Sequence, residues 1–142
     1  MPDELTERTQ RVIRLARDIV RRTGIRDGGE LAVLTAILED NGGVAAAILH
    51  QVKLDIRTLY LALEKLTTDQ TLPARAESEI EHLVAAATAL RAPSGAAQVG
   101  TELLLVAILW KPGCAAAKVL SAVGITQQSI HAAAGAVAAG NV

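Results

Sequence analysis

At 142 residues the chain is long enough to bury a sizeable single-domain core, and its net charge of −1 gives it no field to hold a polyanion, which disfavours nucleic-acid binding. Hydrophobic residues make up 51% but aromatics only 1%, one Trp, one Tyr and no Phe, so the core must be Leu, Ile, Val and Ala, and the chain reads as all-α. No apolar run is long enough to cross a bilayer, Met1-Pro2-Asp3-Glu4 lacks the order of a signal peptide, and the single Cys114 has no internal disulfide partner, so the expected location is cytoplasmic with no membrane association.

In chain order, the spacing of Val12, Leu15, Ala16, Ile19 and Val20 predicts a helix over about Thr6 to Thr23, ended by Gly24. Its other face carries Arg8, Arg11, Arg14, Arg17, Arg21 and Arg22, which is either a solvated face or a docking surface for an acidic partner. A largely buried helix is expected over about Gly29 to Asp40, with Leu31, Leu34, Ile37 and Leu38 on one side. Asn41-Gly42-Gly43 signals a turn, because Asn and Gly take positive φ at little cost. A short Ala-rich helix follows over Val44 to Val52, and Asp55 is a good N-cap for one from Ile56 to about Leu66. The polar stretch Thr67 to Thr71 reads as a linker.

The second half is expected to open a helix near Pro73 and end it around Leu90, with Ala92-Pro93-Ser94-Gly95-Ala96 as a loop. Leu103 to Trp110 is apolar throughout and would pass for a buried strand on pattern alone, but its counterpart in the first half has helical spacing, so a helix over Glu102 to Trp110 is predicted, stopped by Lys111-Pro112-Gly113. Helices over about Cys114 to Val123 and Thr126 to Ala139 complete eight. Cys114 sits among Gly and Ala and is expected to be a small, buried or half-buried side chain rather than a reactive thiol.

The halves repeat one another. Gly29-Glu30-Leu31 opening an apolar helix returns as Thr101-Glu102-Leu103, Leu5-x-x-Arg8 returns as Leu72-x-x-Arg75, and each buried helix is followed by Gly and an Ala-Ala-x-[Ile/Val]-Leu run. The expected architecture is therefore two tandem four-helix repeats, residues 5–66 and 72–139, in a single domain over 1–142, related by a pseudo-twofold axis. In their order, these motifs, with Leu54-Asp55 and Val123-Gly124-Ile125, resemble the Clp N-terminal repeat domain that precedes the ATPase modules of Clp unfoldases.

No Walker A or Gly-x-Ser-x-Gly motif is present, and His50, His82 and His131 have no metal-site spacing, so neither an enzyme nor a cofactor is expected. The sharper positions are the helix starts at Gly29-Glu30 and Gly100-Thr101-Glu102. Backbone N–H groups there suit a phosphate, and a Glu in the first turn suits a guanidinium. The plainer reading is that Glu30 and Glu102 complement their helix dipoles. The resemblance implies phosphoarginine pockets at these two points; Thr101 and Glu102 match the family pattern, whereas Gly29 replaces a Thr beside Glu30, and Leu31 and Leu103 stand where His is usual. It also implies an adaptor surface between the starts of the first helices, with Leu5, Arg8, Leu72, Arg75 and Glu79 as rim residues. Leu5 and Leu72 replace the usual Phe there, which weakens capture of an aromatic cyclic peptide antibiotic.

The function implied is a binding domain that recognises Clp substrates, adaptor proteins or arginine-phosphorylated proteins. The alternative is a free-standing accessory or decoy that docks on a Clp ATPase or sequesters its ligands; the tail from Gly135 to Val142, lacking a charged linker, leans that way. A nucleic-acid regulator using the Arg face is the third and weakest.

Overall fold

The structure, a computed structural model, describes residues 5–67, 74–94, 98–111, 113–130 and 132. Seven helices are delimited among them: α1 (Glu7–Thr23), α2 (Gly29–Asp40), α3 (Gly43–Gln51), α4 (Ile56–Thr67), α5 (Ala76–Ser94), α6 (Thr101–Leu109) and α7 (Ala115–Ala122). The all-α expectation holds, and residues 127–130 begin a further helical segment whose expected continuation lies outside the described residues.

Local chemistry sets the boundaries. Thr6 caps α1 by accepting the N–H of Thr9 at 3.1 Å, and Gly24 ends it at φ +73°, where its N–H reaches the carbonyl of Val20. Asn41 at φ +56° and Gly43 at φ +85° turn the chain from α2 into α3. Asp55 accepts the N–H of Arg57 at 3.1 Å and so opens α4.

Helix α5 differs from expectation at both ends. It starts at Ala76, because the N–H groups of Arg75 and Ala76 both go to the carbonyl of Arg26, at 2.6 and 2.9 Å. It runs to Ser94 and takes in Ala92, Pro93 and Ser94 of the stretch expected as a loop, while Gly95 and Ala96 lie outside the described residues. Pro93 forfeits one N–H in the last turn, and the preceding alanines, the strongest helix formers, carry the helix past it.

The core gathers on α2 and α6. Every residue from Gly29 to Leu38 is buried, so α2 is covered on all sides, and it packs against α1, α3, α4, α5, α6 and α7. In α6, Leu103 to Ile108 are buried likewise. Two close approaches place the ends of these helices. Leu5 pairs with Val99, whose carbonyl takes the N–H of Thr6 at 3.1 Å and the hydroxyl of Thr9 at 2.8 Å, so the start of α1 lies beside the start of α6. The Arg26 carbonyl holds the start of α5 beside the start of α2 in the same manner. Among the described residues no single helix is long and apolar enough to cross a membrane.

Candidate functional site

The start of α2 is the more crowded of the two helix ends. A Cβ built on Gly29 would lie 2.1 Å from the carbonyl oxygen of Ala76, so only glycine lets α2 press this closely on the first turn of α5. That approach brings Glu79 of α5 over the helix end, where its Oε1 accepts the N–H of Gly28 at 2.9 Å and of Gly29 at 3.1 Å. An internal carboxylate thus occupies the place that a helix N-terminus offers an anion. Asp27 accepts the same Gly28 N–H at 2.8 Å and pairs through its other oxygen with Arg75 at 2.6 Å.

One residue further on, Glu30 is 1% exposed. Its Oε2 receives the Lys111 ammonium at 2.6 Å, while its buried Oε1 has no hydrogen-bond partner among the described residues. Lys111 follows α6 in the chain, 81 residues from Glu30. Around these groups lies a cavity of about 780 Å³, lined among others by Arg75, Ser78, His82, Cys114 and Lys118. Burial, a hydrogen bond with Asp27 and the negative charge of Glu30 push the Glu79 carboxyl up to about 7. The bond to Glu30 raises Lys111, and burial pushes the Cys114 thiol up.

The start of α6 is built differently. Thr101 is buried, and its hydroxyl accepts the N–H of Ala45 over a long 3.4 Å, tying the end of α6 to α3. Glu102 is half-buried and folds back over Gly100, where an added Cβ would lie 2.4 Å from its Oε2. Arg8 lies against Gly42 and Gly43, and a Cβ on Gly43 would touch both the Arg8 chain and the Thr101 hydroxyl, at 2.6 and 3.4 Å. Arg8 and Arg11 converge on Asp40, at 2.5 and 2.7 Å, and hold its carboxyl below the usual range; the Arg11 hydrogen bond contributes most.

The two ends therefore differ in what fills them. Glu79 stands four residues after Arg75, and four residues after Arg8 the chain has Val12, which is fully buried and apolar. Lys111 follows α6, whereas Asp40 ends α2. Among the described residues no cation pairs with Glu102, and no carboxylate holds the first amides of α6 as Glu79 holds those of α2.

The expected site residues fall into three places. At the α6 end Thr101 and Arg8 come together at Gly43, and Glu102 folds over Gly100 next to Thr101 in the chain. Gly29 and Glu30 meet Arg75 and Glu79 at the α2 end. Leu5, paired with Val99 just before the α6 start, also lines a groove of about 330 Å³ between α1 and α5 with Ile13, Arg14, Arg17, Glu81 and Val84. The expected rim thus divides, because the start of α1 docks on Val99 and the start of α5 on Arg26; Leu72 lies outside the described residues. Sequence reasoning missed Lys111, Asp27 and Gly28. The one signal for Lys111 was a cation directly after the apolar helix, where the other half carries an acid.

The Arg face of α1 is largely engaged within the molecule: beyond the Asp40 pairs, Arg22 reaches Asp18 and Glu39, and Arg21 reaches Glu77. His50 bonds Asn41 at 2.7 Å, His82 is exposed, and His131 lies outside the described residues. Among the described residues no three His, Cys, Asp or Glu side chains cluster as metal ligands. A family model described as the Clp repeat (R) N-terminal domain matches residues 4–122. No curated protein matches the chain.

Proposed function

From the premise that the chain belongs to the Clp repeat (R) N-terminal domain family, we propose that it is a non-enzymatic module that recognises substrates or adaptors of a Clp system, and that its α6 end reads phosphoarginine. The observation that carries this is the asymmetry of the two ends. Among the described residues no cation pairs with the Glu102 carboxylate, which folds over Gly100 next to Thr101. A ligand with a guanidinium next to a phosphate supplies both missing partners: its guanidinium forks onto Glu102, and its phosphate meets the helix start. The Thr101 hydroxyl keeps its own hydrogen free to donate while it accepts from Ala45.

The α2 end does not offer the same combination, since Glu79 already takes the Gly28 and Gly29 N–H groups. The groove at Leu5, apolar at Ile13 and Val84 and bordered by Arg14, Arg17 and Glu81, suits a segment of an adaptor protein. The test is a calorimetric titration of the folded chain with phosphoarginine, arginine and inorganic phosphate, beside the Glu102→Ala variant. Heat specific to phosphoarginine and lost in the variant supports the reading. No heat from any ligand, with folding verified by circular dichroism, overturns the phosphoarginine assignment and leaves the groove as the recognition surface.

A further inference from the structure

We propose that the α2 end is shut by a ligand mimic built into the chain: the Lys111 ammonium on Glu30 and the Glu79 carboxylate on the first amides of α2 jointly autoinhibit it. The protein is thereby left with one phosphoarginine site instead of two, so a partner carrying two marks gains no avidity from one chain. This rests on the α6 end reading phosphoarginine, and it makes the matching end a closed copy.

The two ends start from the same parts. Each opens a buried helix with free backbone amides and a Glu in the first turn, Glu30 in α2 and Glu102 in α6. At the α2 end both parts are met from within, and by opposite charges. Lys111 Nζ lies 2.6 Å from Glu30 Oε2, and Glu79 Oε1 accepts the Gly28 and Gly29 N–H groups at 2.9 and 3.1 Å. The two groups stand close to one another: the bond to Glu30 raises Lys111, and the negative charge of Glu79 raises it further. A cation on the carboxylate beside an anion on the amides is the charge pattern of a guanidinium that bears a phosphate. Both groups come from the second half of the chain, Glu79 from α5 and Lys111 after α6.

The pair closes this end without completing it. Lys111 returns one hydrogen bond to Glu30, whose buried Oε1 has no partner among the described residues, and its side chain is 47% exposed. Glu79 shares the Gly28 N–H with Asp27, which lies 2.8 Å from it. A pair built only to hold the fold would satisfy both oxygens of a buried carboxylate. The space remains as well, since a cavity of about 780 Å³ lies over these groups. Its charged lining is balanced, with Asp27, Glu30 and Glu79 against Arg75, Lys111 and Lys118. With the mimic in place the cavity therefore attracts neither sign of ion. Without Glu79 it has a cation in excess and two amides exposed.

The experiment is a calorimetric titration at pH 8 with phosphoarginine and inorganic phosphate as probes. The proteins are wild type, Glu102→Ala, Glu102→Ala with Glu79→Ala, and the triple variant that adds Lys111→Gln, each verified as folded by circular dichroism. Wild type should bind one phosphoarginine per chain and Glu102→Ala none. Removing Glu79 should make inorganic phosphate bind where Glu102→Ala alone gives no heat. Removing Lys111 as well should restore one equivalent of phosphoarginine, held at least about tenfold more tightly than inorganic phosphate. If the triple variant does not fold, the double variant, which keeps the pair of Lys111 and Glu30, decides the matter by its phosphate binding. The proposal is overturned if wild type takes two equivalents, if the folded double variant binds no phosphate, or if the folded triple variant binds no phosphoarginine. A wild type that binds nothing sinks the α6 reading, whereas binding by the opened variants still establishes the closed α2 end, so the two fail separately.

Discussion

Replacing Gly29 by Thr, the residue found at the matching point of the other half, should destabilise the protein rather than restore a ligand-binding hydroxyl. The new Cβ would sit 2.1 Å from the Ala76 carbonyl oxygen and 3.1 Å from the Glu79 Cβ. The first contact is with backbone that is itself anchored, since the Ala76 and Arg75 N–H groups are bonded to the Arg26 carbonyl, so no side chain can rotate out of the way. The helices must separate by more than an ångström. Overpacking of this kind costs about 1–3 kcal/mol, and the separation also draws Glu79 away from the Gly28 and Gly29 N–H groups, a cap worth about 0.5–2 kcal/mol. The sum, about 1.5–5 kcal/mol, corresponds to a melting temperature lower by roughly 10 °C for a chain of this size. Urea denaturation followed by circular dichroism measures it. A Gly29→Thr protein within about 0.5 kcal/mol of wild type, the range of an ordinary surface change, would refute the close approach of α2 and α5.

Glu79 should give the fold a pH dependence of known sign. Its folded pKa of about 7 stands above the ordinary 4.5, so its contribution to stability is full below pH 4.5 and is lost as pH rises through 7; Glu79→Gln should remove that slope from stability curves measured between pH 4 and 8, and an unchanged slope would contradict the assignment. Leu105 is fully buried in α6, and Leu105→Asp leaves an unpaired carboxylate in the core at a cost of about 3–5 kcal/mol, enough to unfold the domain; a cooperative melt at the wild-type temperature would show that α6 is not central. Cys114 is half-buried with its thiol pushed up by burial, so alkylation by iodoacetamide at pH 7.5 should be at least about tenfold slower in the folded than in the urea-unfolded chain; equal rates would place it at the surface.

Most of the fold was legible because its signals are local. Helix α2 carries Gly at its start and Asn after its end, and α1 has Thr6 and Gly24 at its limits, so their bounds could be read from capping chemistry alone. The continuous apolar run of α6 has no period of its own and was resolved by its likeness to α2. The end of α5 was misjudged because Pro93 was given more weight than the alanines before it. At the site, Glu30 and Glu102 stood out as first-turn acids, but what distinguishes them is non-local. Glu79 reaches Gly28 from 51 residues away and Lys111 reaches Glu30 from 81, and no periodicity encodes such meetings. The replacement of Thr by Gly29, read in the sequence as a departure from the family pattern, is in the structure a packing requirement imposed by the Ala76 carbonyl.

The most direct test of the account is an amide-resolved nuclear magnetic resonance titration with phosphoarginine at pH 8. Two helix starts with matching sequence are held to differ because one is filled by the molecule itself and the other is not. The account predicts saturable shifts at Thr101, Glu102 and Leu103 with those of Gly28, Gly29 and Glu30 unmoved. Shifts at Gly28 and Gly29 with none at Thr101 would contradict it, since Glu79 would then yield its place to an outside anion while the open end bound nothing.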